Sequence, residues 1–210
     1  MNNLLILGCG GHAGVVKEAA ISSQIIEKVS YLDDNLNTKS EKNENILGTL
    51  DCIYKQEIKR EYKNAFVAIG NPKIRIEWIS KLLNNGYLVP TIIHPTAWIS
   101  SSAQIGIGSV ILSQSSIQCN VISGIGVIFN NNSSVDHDSK IGDAVHISPG
   151  VNIAGNVNIG DRTWVGIGST IIQNINIGSD VIIGANAAVI KDLPDSIKAV
   201  GVPAKAIKTK

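Results

Sequence analysis

The chain has 210 residues, of which 44% are apolar, 4% aromatic and 17% charged, with a formal net charge of +1. That balance supplies core for one large or two small domains and excludes the basic, aromatic-rich face that grips nucleic acid. Twenty glycines against a single methionine point to many tight turns rather than long helices.

From the amino end, Leu4-Leu5-Ile6-Leu7 reads as a strand that runs into the glycine turn Gly8-Cys9-Gly10-Gly11. This apolar opening is shorter than the hydrophobic region of a signal peptide and has no charged leader. Ala13–Ser22 reads as a helix and Val29–Leu32 as a second strand ending in Asp33-Asp34. The polar residues 35–47 read as an exposed loop, Ala65–Ile69 as a third strand, Lys73–Asn84 as a helix and Leu88–Ile93 as a further strand. Alternation of strand and helix predicts a parallel sheet with its ligand crevice at the strand C-terminal ends. Residues 1–95 are therefore expected to form a small Rossmann-like α/β domain, about half of a dinucleotide-binding fold. Backbone N–H groups where the first helix begins favour phosphate, which suits either a dinucleotide or a nucleotide-sugar. Asp33-Asp34 stands where an NAD enzyme places its ribose acid, but the domain lacks room for a second mononucleotide half.

After His94-Pro95 the period changes to six. Counting in sixes from Ile99 through Ile105, Ile111 and Ile117 to Val189 meets Ile or Val at every step except Ser123 and Phe129. Four residues after each lies a small or β-branched side chain, as at Ala103, Ser109, Val145, Thr163 and Ala187. Glycine often follows the aliphatic position directly, as at Gly106, Gly142 and Gly178. A six-residue unit accommodates one short strand and one bend, and three such units close a triangular coil whose aliphatic residues stack inside. A β-sandwich would alternate by two with irregular turns, so residues 96–210 are expected to form a left-handed parallel β-helix followed by a short tail.

The hexads, the opening Gly8-Cys9-Gly10-Gly11-His12-Ala13 and the ending Gly201-Val202-Pro203-Ala204-Lys205 together resemble the bacterial hexapeptide-repeat acetyltransferases that modify sugars. That family includes enzymes that N-acetylate nucleotide-linked 4-amino-dideoxy sugars, such as the UDP-linked precursor of bacillosamine, and relatives assigned to sialic acid O-acetylation. The resemblance spans nearly the whole chain. It implies acetyl-CoA as co-substrate, a nucleotide-sugar acceptor and a homotrimer with the donor lying between neighbouring β-helices.

Acetyl transfer needs a base for the acceptor proton, stabilisation of the thioester oxygen and a seat for CoA. In Ser134-Val135-Asp136-His137-Asp138, Val135 is an inward hexad position, so His137 falls near a corner where its side chain points outward. An imidazole is neutral often enough near pH 7 to accept a proton, and an adjacent carboxylate fixes its tautomer. By resemblance His137 is the general base. The family's acid is typically Glu where this chain has Asp138, and Asp136 competes for the orienting role. His146, nine residues on, is expected on a different side of the same prism; the family places such a histidine at the acetyl-CoA site. By resemblance Gly155 offers its N–H to the thioester oxygen, and Ile167 and Ala185 line the pantetheine channel. The basic tail of Lys205, Lys208 and Lys210 is either a CoA phosphate contact or simply solvated. By resemblance too, Gly10, Gly11, His12, Asp33, Asp34 and Gly70 contact the nucleotide-sugar, and Cys9 stands where the family has a small residue.

Some hexapeptide β-helices are three-histidine zinc enzymes, but of His12, His94, His137 and His146 only the last two lie in the repeats, so no metal is expected. Cys9, Cys52 and Cys119 are odd in number and widely spaced, which argues against a disulfide framework and for a reducing cytoplasm. No run approaches the roughly 20 apolar residues of a membrane span. A non-catalytic nucleotide-sugar-binding scaffold and an NAD-linked enzyme remain as rivals to acetyl transfer, and within the class N- and O-acetylation are not separated by the sequence.

Overall fold

A computed structural model describes residues 3–24, 26–35 and 45–207. They fall into two compact units, Met1–Pro95 and Thr96–Lys210.

In the first unit, strand β1 (Asn3–Leu7) is followed by helix α1 (Gly11–Ser22) and strand β2 (Lys28–Leu32). A 3-10 turn at Leu50–Tyr54 leads into helix α2 (Gln56–Glu61), strand β3 (Asn64–Val67) and helix α3 (Pro72–Asn84). The three strands form a parallel sheet in the order β2-β1-β3. The central strand is buried at every residue, which is why Leu4 to Leu7 form a continuous apolar run rather than an alternating one. Helix α3 starts cleanly because the Asn71 side chain accepts the N–H groups of Lys73 and Ile74, while Pro72 occupies the first turn, where no N–H is needed.

The strand expected over Leu88–Ile93 is not continuous. Leu88 makes an isolated bridge to Asn64 and only Ile92–Ile93 is a strand. Pro90 lies between them and has no N–H to give a ladder. The 3-10 turn and α2 carry no strong period and were not anticipated. Of the loop expected over residues 35–47, most lies outside the described residues. Its end returns to the sheet, with Ile46 bridging Tyr31 and the Leu47 N–H donating to the Tyr31 carbonyl.

The second unit is a left-handed parallel β-helix with three faces. The first stacks two-residue strands from Trp98–Ile99 to Ala188–Val189 in steps of 18 residues. The second runs from Ile122–Ser123 to Asn176–Ile177, and the third climbs through Val110–Ile111, Ile128–Phe129, His146–Ile147, Trp164–Val165 and Ile182–Ile183. Lys205–Ile207 pairs antiparallel with Lys198–Val200. This occupies one edge at the C-terminal end of the solenoid, where an open strand would invite another chain.

The hexad side chains from Ile111 to Val189 are all buried. Each fully buried Ile or Val contributes about 1.5–3 kcal/mol, so the internal columns dominate the stability. The two exceptions are also inside: Phe129 is fully covered, and Ser123 takes the Gly106 N–H on its hydroxyl. Phe129→Ala should destabilise the β-helix by about 3–5 kcal/mol because no flanking column can collapse into the space; a urea midpoint equal to that of the parent would contradict this.

Two features of the bends account for the residue types around them. Every sixth residue from Gly108 to Asn186 has a positive φ, between 51° at Ala144 and 69° at Gly168. That region favours Gly, Asn and Asp, which occupy most of these positions. The residue that follows is buried, and at three of the positions where it is Ser or Thr its hydroxyl accepts a main-chain N–H from the next coil. Ser109 serves Val127 in this way, Ser139 serves Val157 and Thr163 serves Val181. Outside, polar side chains stack every 18 residues, as in Asn156 on Asn174 and Arg162 bidentate on Asp180.

Candidate active site

His137 sits at the corner between the first and second faces, with its side chain 53% exposed. Its Nδ1 lies 2.8 Å from Asp138 Oδ2, and the other Asp138 oxygen accepts Asn120 Nδ2 at 2.9 Å. Asp136 is turned elsewhere and accepts the His137 main-chain N–H at 2.7 Å. Of the two candidate orienters, Asp138 is thus the one that meets the ring. It occupies the positive-φ position of its hexad, φ 58°, where a short acidic side chain is tolerated and is aimed back along the corner. The hydrogen bond to Asp138 raises the His137 pKa above 6.5, and Asn120, followed by His137, holds the Asp138 carboxyl below its ordinary value. With Nδ1 facing a carboxylate, Nε2 is the basic nitrogen available to a substrate.

One coil further on, Gly155 is buried beneath this ring. A Cβ there would stand 2.6 Å from both Cε1 and Nε2 of His137, so only glycine leaves the imidazole its place. The neighbouring Asn156 N–H donates to the His137 carbonyl at 2.8 Å and holds the two coils in register.

His146 is on the third face. Its ring stacks on Trp164, with centroids 5.2 Å apart and planes 20° from parallel, and its Nε2 is 3.3 Å from Asn130 Nδ2. With Ile167 and Ala185 it lines a mostly apolar groove of about 470 Å³ that also includes Pro149 and Trp164. Within one chain, therefore, Gly155 joins His137 and Asp138 at one corner, while His146, Ile167 and Ala185 gather at another. Lys205 is exposed, and Lys208 and Lys210 lie outside the described residues.

In the first unit, the glycine loop after β1 is braced by Asp33, whose carboxylate accepts the Cys9 N–H at 2.6 Å and the Asn35 N–H at 2.8 Å. Asp34 accepts the Leu50 N–H. Both carboxylates are thus engaged by the main chain around the crevice. Gly10 caps α1 with no side-chain bond, and the first turn carries no acidic residue. Gly10, Gly11 and Gly70 have no atom within 4 Å of where a Cβ would stand, so the packing of this unit does not require glycine at these positions. The Gly70 carbonyl is held at 2.8 Å by the buried Arg75 guanidinium, which burial pulls down to about 10. His12 differs from a simple surface contact. Its Nε2 is fully covered and unpartnered, and burial together with the Arg75 charge lowers its pKa to about 4. The ring is neutral at physiological pH.

Asn120, Asn130, Trp164, Ser148 and Arg75 were not picked out from the sequence. The 18-residue coil was the signal for two of them, because Asn120 precedes Asp138 and Trp164 follows His146 by one full coil. No metal-holding group of three or more His, Cys, Asp or Glu occurs among the described residues. None of their helices is long and apolar enough to cross a membrane.

A six-residue β-helix with an outward imidazole–carboxylate pair at one corner and an apolar groove at another defines a hexapeptide-repeat acyltransferase. Residues 3–82 match the family described as the PglD N-terminal domain. Over 98% of its length the chain is 34% identical to the acetyltransferase domain of PglB from Neisseria gonorrhoeae FA1090, solved in complex with acetyl coenzyme A; 99% of that chain is covered, with a TM-score of 0.93. PerB from Caulobacter crescentus, solved with CoA and GDP-perosamine, is 32% identical over 99% of this chain and 98% of that one, with a TM-score of 0.89. A UDP-N-acetylbacillosamine N-acetyltransferase of Bacillus subtilis (strain 168) is 33% identical over 115 residues, which is 54% of this chain and about half, 52%, of that relative. The chain belongs to the hexapeptide-repeat sugar N-acetyltransferase family.

Proposed function

We propose that this protein transfers the acetyl group of acetyl-CoA to the 4-amino group of a nucleotide-linked amino-dideoxy sugar. The observation that carries this is the His137–Asp138 pair seated over Gly155, on a fold shared at 34% and 32% identity with chains bound to acetyl coenzyme A and to CoA with GDP-perosamine. The neutral acceptor amine attacks the thioester carbonyl and gives up a proton to His137 Nε2. Asp138 holds the proton on Nδ1 and offsets the charge of the imidazolium. The Gly155 N–H, which makes no hydrogen bond among the described residues, serves as donor to the developing oxyanion. Collapse of the tetrahedral adduct breaks the C–S bond, and the imidazolium returns its proton to the departing thiolate, giving the amide and CoA.

Because the His137 corner and the groove of His146, Ile167 and Ala185 lie apart in one chain, a site using both combines two subunits. This favours a homotrimer, to be checked by light scattering of the purified protein. The nucleotide-sugar belongs at the start of α1, where uncapped N–H groups meet phosphate and the open space at Gly10, Gly11 and Gly70 admits it, with Asp33, Asp34 and His12 shaping the crevice. Gly10→Val is expected to cost only about 1 kcal/mol of stability, since its Cβ meets nothing and the loss is that of a favoured N-cap residue. It should nevertheless raise the KM for the nucleotide-sugar about tenfold or more, and an unchanged KM would remove this loop from the acceptor site. Three free thiols fit a reducing cytoplasm.

The direct test measures thiol release from acetyl-CoA with UDP- and GDP-linked 4-amino sugars, and with hydroxyl acceptors including sialic acid. Turnover with an amine supports the proposal, and turnover only with a hydroxyl replaces it by O-acetylation. Nucleotide-sugar binding without release of CoA would make the protein a scaffold.

A further inference from the structure

The groove on the third face contains a large aromatic residue that the reaction above does not use. Trp164 is 49% exposed, in a structural unit whose other apolar side chains mostly face inward. It is the direct cross-strand partner of His146 one coil above, so the two outward side chains share a column. Their rings stack at 5.2 Å, and the indole N–H donates to Ser148 Oγ at 2.8 Å. Ser148 is itself buried, which anchors the indole on a fixed point. His146 is consequently held on two sides, by Asn130 at its Nε2 edge and by the indole over its face. Trp164 is part of the lining of the same groove as Ile167 and Ala185, as is Ile182, its cross-strand neighbour on the side away from His146.

We infer that Trp164 is the positioning residue of the acyl-donor site: it fixes the plane of His146 and offers its exposed side as part of the wall against which the thioester end of acetyl-CoA lies. The inference rests on the acetyl-transfer reading and adds to it a residue and a role. An aromatic ring suits this place because the pantetheine arm is a flexible chain of methylenes and amides. A flat, rigid surface can exclude water along it at little cost in side-chain freedom. Stacking also limits rotation of the imidazole, which a thioester contact by His146 requires.

Two variants separate positioning from mere packing. With Trp164 present, acetyl-CoA should change the tryptophan emission, and in Trp164→Phe that change should vanish while donor affinity stays within about threefold, because a phenyl ring retains the stacked face. The emission measurements are made in a Trp98→Phe background, because Trp98 is 53% exposed on the first face whereas Trp78 is 8% exposed, so that Trp164 is the exposed indole being read. Trp164→Ala should raise the KM for acetyl-CoA about tenfold and leave the acceptor KM unchanged, with Trp164→Phe restoring the parent value. An emission change that persists in Trp164→Phe, or an unaltered donor KM in Trp164→Ala, would overturn the inference while leaving acetyl transfer standing. A wild type that binds no acetyl-CoA by calorimetry would instead bring down the transfer reading, and this inference with it.

Discussion

Replacing His137 by alanine should lower turnover by about 10²–10⁴-fold while acetyl-CoA still binds and the melting temperature stays close to the parent's. The side chain is half exposed and fills no core space, so little stability depends on it. The loss should fall on kcat, because the imidazole acts as proton acceptor rather than as a binding surface. The same residue sets the pH profile. Its neutral form is the base and its pKa is raised by Asp138, so kcat/KM should fall as the pH drops through a value above 6.5. Asp138→Asn removes the cause of that shift. The acid limb should move to lower pH while the maximal rate decreases, since an amide no longer favours the proton on Nδ1. A profile that does not move in Asp138→Asn would detach the carboxylate from the base, and full activity in His137→Ala would remove the imidazole from the mechanism.

Gly155→Ala is expected to be nearly as damaging for a different reason. The added methyl would lie 2.6 Å from Cε1 and Nε2 of His137, well inside van der Waals contact. The backbone there is locked, because the Asn156 N–H is bound to the His137 carbonyl and the Gly155 carbonyl accepts the Asn174 N–H at 3.1 Å. The exposed imidazole is the element free to yield, and it would swing toward solvent. Displacing a base by about 1 Å is enough to cost about 10² in rate. Stability should change little, which separates this outcome from simple unfolding; a crystal structure of the variant with His137 unmoved, or a parent-like kcat, would contradict it.

The third face was legible in its residues and not in its interactions. His146, Ile167 and Ala185 carry the family's motif, and they do line one groove. The stack of Trp164 on His146 depends on how strands 18 residues apart come into register. That register was implicit in the hexad count, but nothing local to Trp164 announces it. The orienting acid is a second instance. Asp136 and Asp138 flank His137 equally in the chain, and the left-handed turn at Asp138 decides between them by directing one carboxylate to Nδ1 and leaving the other on a main-chain N–H. His12 is a third. The sequence places this histidine in the glycine loop, but only the folded chain shows that its Nε2 is covered and that burial, with the Arg75 charge second, keeps its ring neutral.

By itself, the sequence determined the three-sided solenoid. A six-residue spacing of aliphatic side chains has a single way to bury them all, and that way stacks strands one coil apart. It likewise determined the parallel α/β character of the first unit, because a buried central strand must be apolar throughout. What only the tertiary structure decided were contacts between residues far apart in the chain: Gly155 under His137, Asn120 on Asp138, Trp164 on His146 and Arg75 on the Gly70 loop. Periodicity reports which way a side chain faces, but the partner it meets depends on rise, twist and turn geometry accumulated over a whole coil.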